Sequence, residues 1–321
     1  MLIARTKAFI RDLLELVLIP GLAAVLPWPL CFRVFRSISG RCQWLYRSAC
    51  DPALQQAHAR GMVADDQQGL WLARRRLTIL IDHADLYLAA TRSNAWMQRY
   101  LTVSGRWPAG DQAGVLCMFH WGAGMWALRH ARANGLHCNA LVSHVNKALF
   151  PGRPLAYWYA LARTRMVTKV LGRQTLDVSA TLRPAMRALT QNEQVLAAID
   201  VPSDQVAASI PVAIAGMNAM VPSALLRVAV ERKIPITLYN TGLDYETGQR
   251  RLTIEAYAPF DTLEQAANTV FAELDVLVTD DSAAWHFWHI ADRFFSSSQG
   301  HAPDGHPNSP AYGHLKLPHL N

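Results

Sequence analysis

His120 is the residue around which chemistry could be built. It ends a short apolar run, residues 115–120, and is followed by Gly122, Gly124 and a helical stretch that stops at Asn134-Gly135. In an open parallel sheet, ligands gather at the carboxyl ends of strands. The N-terminus of a following helix disfavours an imidazolium and favours nearby anions. A neutral imidazole there could take a proton from a hydroxyl attacking a thioester, and the glycines would let substrate approach backbone N–H groups able to hold an oxyanion.

The neighbourhood of His120 is charged in one sense. Between Gln112 and Leu176 there is no Asp or Glu, but there are Arg129, Arg132, Lys147, Arg153, Arg163, Arg165, Lys169 and Arg173. Such a segment is either a solvated basic face or a site for an anionic substrate, such as phosphate groups or a phosphopantetheine carrier. Asp200 ends a later apolar run and could reach His120 through space, as could Asp204. Cys117 offers a second chemistry, that of a hydrolase nucleophile paired with His120. Its odd spacing along one strand sends the two side chains to opposite faces, which favours a core cysteine.

The five cysteines contain no CxxC and read as reduced thiols. His130, His137 and His144 recur every seven residues but straddle a helix end and a strand, so no metal site is expected of them. There is no P-loop, and no dinucleotide fingerprint follows the first strand. Net charge is +7, which suits nucleic acid, anionic lipid or an acidic carrier protein. No zinc-finger, bZIP or RRM signature occurs, and nucleic acid is excluded as the expected partner.

The elements that must position these residues follow from periodicity. Residues 50–105 read as helical, with Leu70, Ala73, Leu77 and Ile81 at helical spacing around Arg74, Arg75 and Arg76, and a further helix over 89–101. Strands are expected at 115–120, 139–143, 194–201, 209–215, 234–239 and 252–257. Helices are expected at 181–189, at 223–232, after a capping-box-like Asp261-Thr-Leu-Glu264, and over 285–295. Alternating strands and helices predict an α/β fold with a mainly parallel central sheet flanked by helices.

Hydrophobic residues make up 51% of the 321 and charged residues only 17%, with 10 Trp. That balance points either to contact with lipid or another apolar phase or to a large enzyme core. Arg5, Lys7 and Arg11 precede an apolar run at 13–30, and Arg33, Arg36 and Arg41 follow it. Glu15 and Pro20 interrupt the run, and Pro27 and Pro29 break it near its end. It reads as a tilted or broken membrane helix, an interfacial anchor or a core helix, and an N-terminal membrane-anchoring helix is the expectation retained. The organisation is then a membrane-associating segment at 1–45, one α/β domain at 46–295, and a disordered tail at 296–321 whose His301, His306, His314 and His319 are irregularly spaced.

The order of motifs adds a resemblance. His120-Trp-Gly-Ala-Gly-Met125-Trp126 resembles the signature of the bacterial lipid A biosynthesis (lauroyl/myristoyl-type) acyltransferases, within the lysophospholipid acyltransferase superfamily. Leu171-Gly172-Arg173, Leu196-Ala-Ala-Ile-Asp200-Val-Pro202, Ile210-Pro-Val-Ala-Ile-Ala-Gly216, Pro222 to Arg232 with Ile234-Pro235-Ile236, and Trp285-His286-Phe287-Trp288 with Arg293-Phe294 resemble later segments of that family in the same order. The resemblance implies a bacterial inner-membrane enzyme on the cytoplasmic face. It would move an acyl chain from acyl carrier protein or acyl-CoA to a hydroxyl of a lipid, glycolipid or related acceptor, with no cofactor and no metal. His120 would be the base. Asp200 would help it, and Arg153, Arg165, Arg173, Trp121 and Gly122 would bind substrate. The family carries an acid five positions after the histidine, and here that position is Met125. A thioether cannot orient an imidazole as a carboxylate does, so the alternative is a catalytically impaired relative that binds lipid or carrier protein without transfer.

Overall fold

The computed structural model describes residues 2–206 and 208–295. The tail expected at 296–321, with its histidines, lies outside the described residues. The strands are β1 (Leu101–Ser104), β2 (Gly114–Met118), β3 (Cys138–Val142), β4 (Leu176–Asp177), β5 (Gln194–Ala198), β6 (Ser209–Ile214), β7 (Met217–Pro222), β8 (Ile236–Leu243) and β9 (Arg250–Tyr257). Seven of them form one sheet in the order β1-β9-β8-β2-β5-β3-β4. β8, β2, β5, β3 and β4 run parallel, whereas β9 is antiparallel to β8 and carries β1 parallel to itself.

The reversal at β9 follows from its connection. β8 and β9 are joined by a tight turn in which the Asp244 carboxylate accepts from the Glu246 and Thr247 amides, and so short a link allows only antiparallel pairing. The strand expected at 209–215 exists but lies outside the main sheet. It pairs with β7 across Ala215-Gly216, both at positive φ (52° and 71°), the geometry of a two-residue hairpin turn.

The helices are α1 (Leu2–Asp12), α2 (Ile19–Val25), α3 (Trp28–Arg41), α4 (Arg47–Ala59), α5 (Gln68–Thr91), α6 (Asn94–Gln98), α7 (Met125–Ala133), α8 (Pro154–Leu171), α9 (Arg183–Thr190), α10 (Ala224–Glu231) and α11 (Leu263–Asp280), with a π-helical turn, Leu13–Leu18, joining α1 to α2. Alternation along the strands splits the core. Val115, Cys117 and Phe119 face the layer of α9, α10 and α11, whereas Leu116 faces α7 and α8.

Several expected boundaries move. The helix expected at 89–101 is divided: α5 ends at Thr91, Ser93 caps the short α6 by accepting from the Trp96 amide, and Leu101 already belongs to β1. The cap of α11 is Thr262, one residue later than the motif suggested, and it accepts from the Gln265 amide. The helix expected over 285–295 is a 3₁₀ stretch, His286–Arg293, with non-helical backbone at Ile290.

The apolar run at 13–30 is not one helix. Leu26 and Pro27 are extended, with ψ of 149° and 136°, and break it. No helix among the described residues is long and apolar enough to cross a membrane. α3 packs onto the domain through buried Trp28, Phe32 and Phe35. The Arg250 guanidinium lies between the Trp28 and Trp126 rings, 4.5 and 4.3 Å from their centroids, and pairs with buried Asp85 at 2.5 Å.

Candidate active site

β2 and β5 pair in parallel with Met118 beside Ala198. Just past the strand ends, His120 meets Asp200. The carboxylate is fully buried and accepts four contacts. Both oxygens lie 2.9 Å from the His120 amide, Oδ1 lies 2.8 Å from His120 Nδ1, and Trp285 Nε1 donates to Oδ2 at 3.0 Å. An ionised carboxylate only accepts, so the Nδ1 proton belongs to the imidazole and the lone pair lies on Nε2. The imidazole side chain is 37% exposed while Asp200 is at 0%. The Phe287 ring packs 4.3 Å from the imidazole centroid. Asp200 thus bonds the imidazole that Met125, buried at the start of α7 with Leu116 and Leu128, does not reach.

Trp285 is held by a residue that sequence reasoning missed. Arg75, fully buried on α5, donates to the carbonyls of Ala283, Trp285 and His286. Burial lowers its pKa to about 10, which leaves it charged at neutral pH. His286 closes the same loop: its amide donates to the His120 carbonyl at 2.8 Å, and its Nε2 is 2.7 Å from the Gly122 carbonyl. The only sequence signals were the Arg74-Arg75-Arg76 cluster and the aromatic run at 285–288.

Other expectations are corrected. The Asp204 alternative fails, because Asp204 forms a bidentate pair with Arg293 at 2.9 and 2.7 Å. Cys117 is fully buried on the opposite face, and burial pushes its thiol up to about 12, which removes it as a nucleophile at neutral pH. The amides of His120, Gly122 and Ala123 are already bonded to Asp200, Ala284 and Thr241, so the glycine loop does not offer them to an oxyanion. The first-turn amides of α7 carry no helical partner by geometry. Gly122 has a structural reason to lack a side chain: its φ is +69°, and a Cβ would lie 2.0 Å from the Thr241 carbonyl oxygen.

His120 opens into a cavity of about 940 Å³ lined mostly by apolar side chains, among them Met118, Leu128, Leu141, Phe150, Val167, Leu196 and Leu225. Trp121 and Gly122 line it, and Trp121 Nε1 donates to the Asp281 carbonyl. Of the expected substrate-binding cations, Arg153 lines the cavity but pairs with buried Asp12 at 2.6 Å. Arg165 is exposed on α8 and Arg173 pairs with Glu193 at 2.5 Å, and neither lines the cavity. Arg163 does line it and pairs with Asp82 at 2.7 Å. Thus the acid-free segment takes its counter-charges from Asp12, Asp82 and Glu193, all outside it, and the expected anion-binding cluster is not assembled.

His130, His137 and His144 do not converge: among the described residues, no three His, Cys, Asp or Glu side chains are grouped to hold a metal ion. No family model matches the chain, and no curated protein matches it at a significant level.

Proposed function

We propose that the protein is an acyltransferase that moves an acyl chain from a thioester, carried by acyl carrier protein or coenzyme A, to a hydroxyl of a lipid-like acceptor. The observation that carries this reading is the His120–Asp200 pair at the wall of a large, mostly apolar cavity. His120 Nε2 takes the acceptor's hydroxyl proton as its oxygen attacks the thioester carbonyl. The tetrahedral intermediate collapses, the carbon–sulfur bond breaks, and the departing thiolate recovers the proton from the imidazolium. Asp200 stays ionised, fixes the tautomer and stabilises the imidazolium.

The proposed setting is a membrane surface, on the cytoplasmic face of a bacterial inner membrane. Phe9, Ile10, Leu18, Val25 and Leu30 on the N-terminal helical segments are exposed large apolar residues, and Trp44 is exposed just after them. Basic side chains at Arg5, Lys7, Arg33 and Arg41 accompany them. Apolar side chains with flanking cations suit shallow burial in an anionic interface without crossing it.

The test is transfer of label from acyl carrier protein loaded with mixed radiolabelled fatty acids into total bacterial lipid by purified protein in detergent. Label in a lipid product supports the reading. Binding of donor or acceptor with no transfer by wild type, and transfer only after Met125→Glu, would make the chain a binding protein instead.

A further inference from the structure

The wall of the cavity carries a set of buried polar groups that the proton transfer at His120 does not use. Glu15 stands on the π-helical turn Leu13–Leu18, a distortion that often marks a functional position. It is 3% exposed and lines the cavity. Oε1 accepts from the Tyr46 amide at 2.6 Å, while Oε2 has no protein partner among the described residues. His83, 4% exposed on α5, also lines the cavity, and its ring lies 5.4 Å from that of Tyr46.

The proton positions follow from the neighbours. The Tyr159 hydroxyl is 2.7 Å from His83 Nδ1, and no other acceptor for its proton is found among the described residues. A buried hydroxyl proton without an acceptor is costly. The Arg163 cation, close enough to act on Tyr159, also favours the phenol's lone pairs on its own side. Tyr159 therefore donates to Nδ1, and His83 carries its own proton on Nε2. Burial keeps His83 neutral, lowering its pKa to about 3. The cavity thus meets a donor at His83 Nε2 and, at Glu15 Oε2, an acceptor in the carboxylate form and a donor in the acid form that burial favours by raising the pKa to about 7.

Two of the three guanidiniums that line the cavity are paired with carboxylates. Arg153 is paired with Asp12, and Arg163 with Asp82. Although burial alone would raise it, Arg163 and His286 hold the Asp82 carboxyl down to about 2, so that pair stays ionised. A phosphate placed here would find Arg153 and Arg163 already matched by carboxylates, and Arg75, the third guanidinium lining the cavity, already donating to three backbone carbonyls. A hydroxyl, which both donates and accepts, satisfies both open groups. The rest of the cavity is apolar, so the hydroxyl must arrive on a hydrocarbon.

We propose that the Glu15–His83 wall of the cavity binds a neutral hydroxyl group of a hydrocarbon-linked acceptor, and so selects a polyol-type lipid over a phosphorylated one. This rests on reading the cavity as the acyl-transfer site, but it is tested by binding alone. Full-length His120→Ala protein in nonionic micelles would be titrated calorimetrically with 1-monolauroylglycerol, 1-lauroylglycerol-3-phosphate, methyl laurate and free glycerol. Monolauroylglycerol should bind at least tenfold tighter than the phosphate, and free glycerol should not compete. His83→Phe should weaken monolauroylglycerol about fivefold, the scale of one hydrogen bond, leave methyl laurate unchanged, and be rescued by His83→Gln. Equal or tighter binding of the phosphate, or equal losses for monolauroylglycerol and methyl laurate in His83→Phe, would overturn the proposal. A preference that holds in a protein whose wild type transfers nothing would leave this inference standing and remove the transfer reading.

Discussion

His120 and Asp200 are neighbours because β2 and β5 pair with a constant offset of 80 positions, a register that continues past Met118 and Ala198 to the two site residues. Two strands are thereby enough to join an imidazole to a buried carboxylate. The carboxylate lies not on the helix after the histidine but just past the end of the adjacent strand, where it also accepts from the His120 amide. This arrangement makes Met125 compatible with an organised imidazole.

Trp285 supplies the outer hydrogen bond to Asp200. In Trp285→Phe the carboxylate loses a buried donor while an aromatic ring is kept. The rate of transfer should fall about tenfold in protein that still folds, as its melting curve would show. A wild-type rate in the folded variant would show that the indole N–H does not serve Asp200.

Arg75 satisfies three carbonyls of the loop that carries Trp285 and His286. Arg75→Met leaves those buried acceptors unpaired, and urea denaturation should show a loss of about 3 kcal/mol or more. A loss under about 1 kcal/mol would show that water or rearrangement replaces the guanidinium.

The layers and the main strands were legible because β2, β3 and β5 are short, mostly apolar runs between helical patterns. β1 and β4 were not, because β1 is mostly exposed and β4 is two residues long, and β7 was not, because it follows β6 after a two-residue turn and reads as a continuation of it. α8 was missed because its apolar and basic residues alternate without a clear face, and its partners Asp12 and Asp82 lie far away in the chain. His120 announced itself through the glycines that follow it, and Asp200 through its place at the end of an apolar run. Arg75 and Trp285 act through contacts across about 210 positions, and one chain's spacing holds no record of such a meeting.

Glu15 and His83 have opposite effects on acid stability. The folded pKa of His83 lies below its ordinary value of 6.5, at about 3, so its contribution is present above 6.5 and is lost as pH falls through that window. Burial raises Glu15 from 4.5 to about 7, so its contribution grows as pH falls from about 7 to 4.5. Each changes stability by up to about 1.4 kcal/mol per pH unit. Between pH 6.5 and 4.5 the two should nearly cancel. Thermal melts should therefore show Glu15→Gln losing stability on acidification and His83→Gln gaining it, relative to wild type. Parallel curves for all three would contradict the assignment.

Cys117 is buried with its thiol pushed up to about 12. Native protein treated with iodoacetamide at pH 8 should carry no label at Cys117 in peptide maps, and Cys117→Ala should keep at least half of the transfer rate. Rapid labelling, or loss of transfer in that variant, would revive a thiol mechanism.

The most direct measurement is single-turnover transfer from radiolabelled acyl carrier protein by wild type, His120→Ala and Asp200→Asn, each confirmed as folded by its melting curve. The account predicts product from wild type, none above background from His120→Ala, and a rate lower by about 10³–10⁴ in Asp200→Asn, the scale of losing a histidine-orienting carboxylate. Transfer by Asp200→Asn at the wild-type rate, with His120→Ala inactive, would contradict the claim that Asp200 is the acid that serves His120.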